Sequence, residues 1–265
     1  MTDCVNTVAP RQRARQFAAA AALLVGSLIL TTTAQAQEGI AFVKSGPVFA
    51  LDQGFFSSSD TGWSIAGGVR QPFAARGPGG FVFIDLGGSF LTVSGDSNPR
   101  PVPGTFVVNG PTGPVSSTSL PDLMNVQLVE INRASVDAAI GWQRTPNGPG
   151  GGLGMMFRLG GRYGHINGSF QEKTSPTTDA LIAGLAPGQS SVLLDNYSKN
   201  DTFAGLFVGG GFTLVNTDYY SQALGRLGVS IGTEVEYSYD WIDFGNYQNS
   251  GFSTGAVLFN FALTR

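Results

Sequence analysis

The sequence predicts an all-β protein, an eight-stranded antiparallel barrel of the up-and-down type. Three observations predict it. Long runs alternate apolar and polar residues with a period of two, as a strand covered on one face requires. The polar positions of those runs repeatedly hold glycine or an ionisable residue. The connections sort by length, being short after even-numbered runs and long after two odd-numbered ones.

Composition narrows the class first. With 12% charged residues and 38 glycines in 265 positions, the chain is poor in helix formers and unlike a charged disordered segment. A formal net charge of −3 leaves no footprint for a nucleic-acid partner. Mean hydropathy near zero excludes a bundle of membrane-spanning helices. It does not exclude a membrane barrel, whose strands are only half apolar.

Arg11, Arg13 and Arg15 precede an apolar run from Phe17 to Leu30, and Ala34 and Ala36 follow at A-x-A spacing. This is the layout of a secretory signal peptide, with cleavage expected after Ala36. The apolar run is shorter than the roughly 20 residues that cross a bilayer. Residues 1–36 are therefore read as an export signal and 37–265 as the barrel. The single cysteine, Cys4, falls in the signal, so the exported part relies on no disulfide.

Eight runs follow in order. They are Gly46–Phe56, Gly62–Phe73, Gly80–Gly95, Asn125–Arg144, Gly154–Phe170, Asp201–Asn216, Arg226–Trp241 and Thr254–Arg265. Short turn-rich links ("AARGPG", "TPNGPGGGL", "TDYYSQALG") follow the second, fourth and sixth. About thirty residues follow the third (Asp96–Met124) and again the fifth (Gln171–Asn200). In an antiparallel barrel, odd and even links leave from opposite ends. Short turns at one end and long loops at the other are the plan of an outer-membrane barrel.

The run "RLGVSIGTEVEYSYDW" shows the two faces. Leu227, Val229, Ile231, Val235, Tyr237, Tyr239 and Trp241 alternate with Gly228, Gly232, Glu234, Glu236 and Asp240. Arg226 opens the polar phase of this run, and Asp85, Asp137, Arg158 and Arg162 occupy polar-face positions in other runs. A solvated sandwich face would tolerate these charges. Interior glycines, however, cost roughly 0.5–1 kcal/mol each relative to alanine. Such a face has no reason to carry so many. A narrow barrel does, because glycines leave room for charged partners across a filled lumen. The expected lumen network is therefore Asp85, Asp137, Arg158, Arg162, Arg226, Glu234 and Glu236. The oily face is then read as lipid-facing. Its aromatics near strand ends (Trp63, Trp142, Tyr163, Tyr237, Tyr239 and Trp241, with Phe259 and Phe261) would sit at the membrane interface. The last run resembles the assembly signal of bacterial outer-membrane proteins, but it ends "ALTR" rather than in an aromatic.

"FRLGGRYGHI" (Phe157–Ile166) and "NDTFAGLFVGGGF" (Asn200–Phe212) resemble the barrel core of the Legionella-type major outer-membrane protein family. The leader and "GPVFALDQ" resemble small barrel proteins of planctomycete-type bacteria. The resemblance implies an outer-membrane barrel and no defined chemistry.

Candidate chemistry is sparse. His165 is the only histidine, and strand phase places Asn167 and Ser169 on its face. Outer-membrane lipid A deacylases pair His with a Ser two positions on. Here that position is Asn167, and Ser169 lies roughly 13 Å from His165 along a strand. No enzyme, cofactor or metal site is expected. "GPGGGLG" lacks the Lys-Ser/Thr and the helix of a phosphate loop. The expected partners are outer-membrane lipid and an extracellular ligand at the loops, with no nucleic acid. The expected role is envelope integrity or surface recognition. Three alternatives stand beside it: a transport channel of ten to twelve strands, with "GTFVVNG" (Gly104–Gly110) supplying an extra one; a lipid-modifying hydrolase; and a soluble periplasmic sandwich.

Overall fold

Backbone pairing runs without a break around a closed circuit. The computed structural model describes residues 39–51, 60–73, 80–95, 99–110, 113–144, 153–185, 193–221, 225–242, 244 and 250–264. Its strands are β1 Ile40–Ala50, β2 Thr61–Pro72, β3 Phe81–Ser94, β4 Arg100–Gly110, β5 Gly113–Arg144, β6 Gly154–Thr174, β7 Leu193–Ser221, β8 Gly225–Ile242 and β9 Ser250–Thr264. One helix, α1, covers Pro176–Leu185. The expected export signal lies outside the described residues.

Eight strands close the barrel in the order β1-β2-β3-β5-β6-β7-β8-β9, with β9 returning to β1 and every pairing antiparallel. From Trp241 the register passes through Ala204, Tyr163, Val136, Gly88, Gly67, Val43 and Phe261. It re-enters β8 at Ile231, ten residues from its start. Eight strands with a stagger of ten residues fix a tilt of about 40° and a backbone radius of about 8 Å, so side chains fill the interior.

The faces separate as the alternation requires. On β6, Met155, Phe157, Leu159 and Tyr163 point outward, while Met156, Arg158 and Arg162 point inward and are buried. Ile140 and Ile231 are exposed, and Val136 is 73% exposed. These residues therefore do not pack between two sheets, and the sandwich alternative is overturned. The exposed apolar positions run from Leu153, just ahead of β6, to Tyr163 on it, a rise of roughly 25 Å after tilt, the height of the apolar band of a membrane barrel.

The chain enters β1 and leaves β9 at one end, where Ile40 pairs with Thr264. The β2–β3, β5–β6 and β7–β8 links leave from this end. Gly80 closes the β2–β3 link with φ +104° against the Trp142 ring, a conformation and a closeness that a side chain would not permit. The opposite end carries β4 and α1.

Several expected boundaries move. The first run sits further upstream, at Ile40–Ala50, so Lys44 belongs to it. Asp96–Met124 is not a plain loop. It holds β4 and the outer part of β5, paired as a hairpin from Arg100↔Val126 to Gly110↔Gly113. Gln171–Asn200 holds the end of β6, α1 and the start of β7. Pro101, Pro103, Pro114 and Pro121 interrupt β4 and the outer part of β5, and so periodicity does not reveal them. "GTFVVNG" is indeed a strand, but β4 pairs with β5 alone and stands outside the barrel circuit. The ten-to-twelve-strand alternative is thereby overturned.

Candidate functional site

The lumen is stacked in three layers. At the turn end, Phe42, Phe81, Phe83 and Met156 cluster with Ile40 and Ala262. At the loop end a larger apolar cluster includes Val48, Leu91, Leu128, Ile131, Phe170, Phe203, Phe244 and Phe252. Between the two lies a belt of charge.

The belt is built by strand parity. Arg70 on β2 faces Asp85 on β3 and grips both its oxygens at 2.8 Å, while its third donor reaches Gln143 Oε1 at 2.6 Å. This fork-on-carboxylate geometry is the strongest pairing available to arginine. Arg158 donates to Glu234 Oε1 at 2.5 Å and also bonds Glu236. Arg162 donates to Glu236 Oε1 at 2.6 Å. Lys44 Nζ lies 3.4 Å from Glu234 and 3.8 Å from Glu236. The Phe207 ring lies under both Arg158 and Arg162, at 4.7 and 4.4 Å, and Phe83 under Arg70 at 4.0 Å, each a cation–π contact. Nearer the loop end, Arg133 bonds Asp240.

Glycines make these meetings possible. In register, Arg158 on β6 faces Gly209 on β7, which faces Glu236 on β8. Two inward rows along, past Gly160–Phe207–Ser238, Arg162 faces Gly205, which faces Asp240. A Cβ on Gly209 would fall 2.5 Å from Glu234 Oε1, and one on Gly205 would fall 2.0 Å from Asp240 Oδ1. Alternate glycines in "AGLFVGGGF" thus clear a slot over which β6 cations reach β8 acids.

Of the expected network, Asp85, Asp137, Arg158, Arg162, Glu234 and Glu236 all face the lumen and lie in one cluster. Asp137 joins at its margin, 3.9 Å from Arg162 Nε and hydrogen-bonded by Ser135 at 2.6 Å. The Arg226 side chain lies outside the described residues. Lys44, Arg70, Arg133 and Asp240 belong to the network as well, beyond the expected set. Arg70, Arg133 and Asp240 stand at polar-phase positions of runs already marked, so parity alone would have found them; Lys44 needed the earlier start of β1. Among described side chains the belt then balances, with Lys44, Arg70, Arg133, Arg158 and Arg162 against Asp85, Asp137, Glu234, Glu236 and Asp240. The space left beside Lys44, Asp85, Asp137 and Arg158 is about 10 Å³, room for roughly one water.

On the outer face, Trp63, Tyr163, Tyr237 and Trp241 are exposed, and Trp142 and Tyr239 are half-buried. Trp63 donates to Ser45 Oγ at 2.7 Å. Tyr239 and Trp241 meet edge-on at 5.4 Å. His165, Asn167 and Ser169 share the outward face of β6 as their phase requires. The residues opposite His165 are Ala134 and Thr202, so no serine stands beside it. No group of three or more His, Cys, Asp and Glu side chains among the described residues is arranged to hold a metal ion.

No protein-family model matches the chain, and no curated protein does. The resemblance to the Legionella-type and planctomycete-type barrels therefore has no family match behind it. Among solved structures the chain is similar to Ail, the attachment invasion locus protein of Yersinia pestis. The identity is 12% and the TM-score 0.37, over 86% of this chain and 99% of that one. A second structure of Ail, in complex with the heparin analogue sucrose octasulfate, is similar at 13% identity and TM-score 0.37, over 85% and 99%. The pairing circuit itself establishes the architecture: the chain is a closed, eight-stranded antiparallel β-barrel.

Proposed function

We propose that the chain is an outer-membrane β-barrel of a diderm bacterium that forms no open pore and acts through its external end, in envelope integrity or surface recognition. One observation carries the reading: polarity is inverted relative to a soluble protein. Lys44 and Glu234 are 2% and 1% exposed inside the barrel, while Leu159, Val136 and Phe259 are more than half exposed outside it. In water that arrangement loses the hydrophobic stabilisation of the outer face and also desolvates charges. In a bilayer the outer face needs no water, and the closed circuit leaves no backbone donor or acceptor in hydrocarbon. The six aromatics Trp63, Trp142, Tyr163, Tyr237, Tyr239 and Trp241 serve as interface anchors in this reading.

The apolar layers at both ends of the belt support a sealed lumen. Ions would have to pass two dry plugs and a charge network with room for about one water. The recognition surface is then the protruding β4–β5 hairpin, α1 and the outer lengths of β6 and β7. Planar-bilayer recording tests the sealed lumen: the purified protein is expected to leave the bilayer at its leak level. Steady single-channel steps well above leak would sink this reading in favour of transport. Extraction tests the location. The protein should stay with the membrane fraction until detergent is added.

A further inference from the structure

We propose that the outward face of β5, β6 and β7, just beyond the apolar band, is a docking surface for the sugar headgroup of a glycolipid in the surrounding leaflet. The inference rests on the membrane reading above and names a lipid class for it.

The face is a grid set by register. Its middle row is Asn132–Asn167–Asn200. The row beyond it is Glu130–Ser169–Ser198, and the row nearer the band places His165 beside Thr202. Next comes the row Val136–Tyr163–Ala204–Trp241, where the apolar band begins. Tyr163 is 63% exposed and Trp241 52% exposed. Asn167 donates to Asn200 at 2.6 Å, and Asn132 donates to Glu130 at 3.0 Å. Each amide is thus tied to a neighbouring side chain.

Position and charge together select the occupant. The grid continues an oily face directly, so in a bilayer its neighbours are lipid headgroups. The grid rows contain no lysine or arginine, the side chains that phosphate recognition requires. They offer amides, hydroxyls and one imidazole, which both donate and accept, and one carboxylate, which accepts. Those are the partners of sugar hydroxyls. The exposed rings of Tyr163 and Trp241 at the lower border supply apolar floors with polar rims, against which a sugar ring can lie. β3 continues the grid on one side, with Thr92 opposite Asn132 and Ser94 opposite Glu130, whereas β8 and β9 end at Ile242 and Ser250 beside the Trp241 row.

The test uses lipid quenching of Trp241. The chain has three tryptophans, so Trp63→Phe with Trp142→Phe leaves Trp241 alone. The protein is folded into phosphatidylcholine vesicles containing either brominated digalactosyl diacylglycerol or brominated phosphatidylcholine at equal mole fraction. Heat-modifiable gel migration checks barrel closure in every variant. The galactolipid is expected next to Trp241 with about threefold enrichment, the factor that one retained hydrogen bond supplies. Adding Asn132→Ala, Asn167→Ala and Asn200→Ala should bring the two lipids level. Equal quenching before those changes, or enrichment that survives them, would overturn the glycolipid site alone. No quenching by either lipid would overturn the membrane reading beneath it. Competition by free digalactose at low concentration would replace the membrane glycolipid with a soluble glycan as occupant.

Discussion

Arg158 on β6 and Glu236 on β8 are bonded to each other across β7, which contributes only Gly209 between them. Neither neighbouring strand could supply this contact directly, because residues two strands apart are normally separated by the side chain between. The contact makes a glycine substitution a test of the charge belt. Gly209→Val would set a Cβ 2.5 Å from Glu234 Oε1 and 3.3 Å from Arg158 Nε. We expect it to lower barrel stability by about 1–3 kcal/mol, the usual cost of overpacking. Urea unfolding in lipid vesicles, followed by tryptophan emission, would measure it. An unchanged midpoint would mean that Arg158 and Glu234 reach each other by another path.

Removing an acid should cost more than crowding it. Glu236 accepts from Arg158 and Arg162 and lies 3.8 Å from Lys44. Glu236→Ala leaves these cations facing each other in a space with almost no water. Losing one member of a buried ionic network costs about 3–5 kcal/mol. The same change at Glu130, which is half-buried on the outer face, should move the unfolding midpoint by less than about 0.5 kcal/mol. Comparable losses at the two positions would count against a tightly coupled belt.

How far the sequence reveals this site depends on where solvent contrast exists. Within the band, one face meets oil and the other meets charge, so parity alone places Arg158, Glu234 and Tyr163 correctly. Toward the loop end the marked runs still alternate, as Asn125 with buried Val126 and Asn167 with buried Ile166, but Pro101, Pro103, Pro114 and Pro121 interrupt β4 and the outer part of β5, which leave no continuous periodic trace. Lys44 escapes notice for a different reason: its strand opens with "IAFVKSG", whose lysine looks like a boundary until β9 is seen pairing alongside it. The slot formed by Gly205 and Gly209 is visible as a spacing. Its purpose depends on knowing that β6 and β8 flank β7, which antiparallel order supplies and composition does not.

Helix α1 leaves no mark in the strand periodicity, although its start is written in local chemistry. Ser175 stands before Pro176, a cap followed by the one residue suited to a first helical position. The Ser175 hydroxyl accepts from the Thr178 amide at 3.1 Å, and the Thr178 hydroxyl in turn donates to Leu123 O at 2.9 Å, tying the helix to β5. Ser175→Ala should therefore loosen α1 by about 0.5–2 kcal/mol without disturbing the barrel. Amide hydrogen exchange over 176–185 should speed up by roughly two- to thirtyfold for that loss, while exchange in β1 and β9 stays unchanged. Slower or equal exchange in α1 would remove Ser175 from the capping role.

Gly251 faces outward on β9 yet is buried, because the Tyr239 ring from β8 lies on it. A Cβ there would fall 1.9 Å from the Tyr239 hydroxyl and 2.0 Å from its ring carbon. A rigid ring cannot yield in part, so Gly251→Ala must swing it off the sheet. That swing also breaks the edge contact with Trp241, worth about 0.5–1.5 kcal/mol. Sheet glycines are commonly covered by an aromatic in this way, which hides the backbone that glycine exposes. Two effects are then set against each other. Alanine favours the strand over glycine by roughly 0.5–1 kcal/mol, and loss of the ring packing disfavours it by a similar or larger amount. A double-mutant cycle separates them. In the natural background, Gly251→Ala should be neutral to destabilising. In a Tyr239→Ala background, where no ring remains to displace, the same change should stabilise the barrel. The sign reversal is the signature of the packing. A stabilising effect of equal size in both backgrounds would show that the ring rests on the sheet without depending on the glycine beneath it.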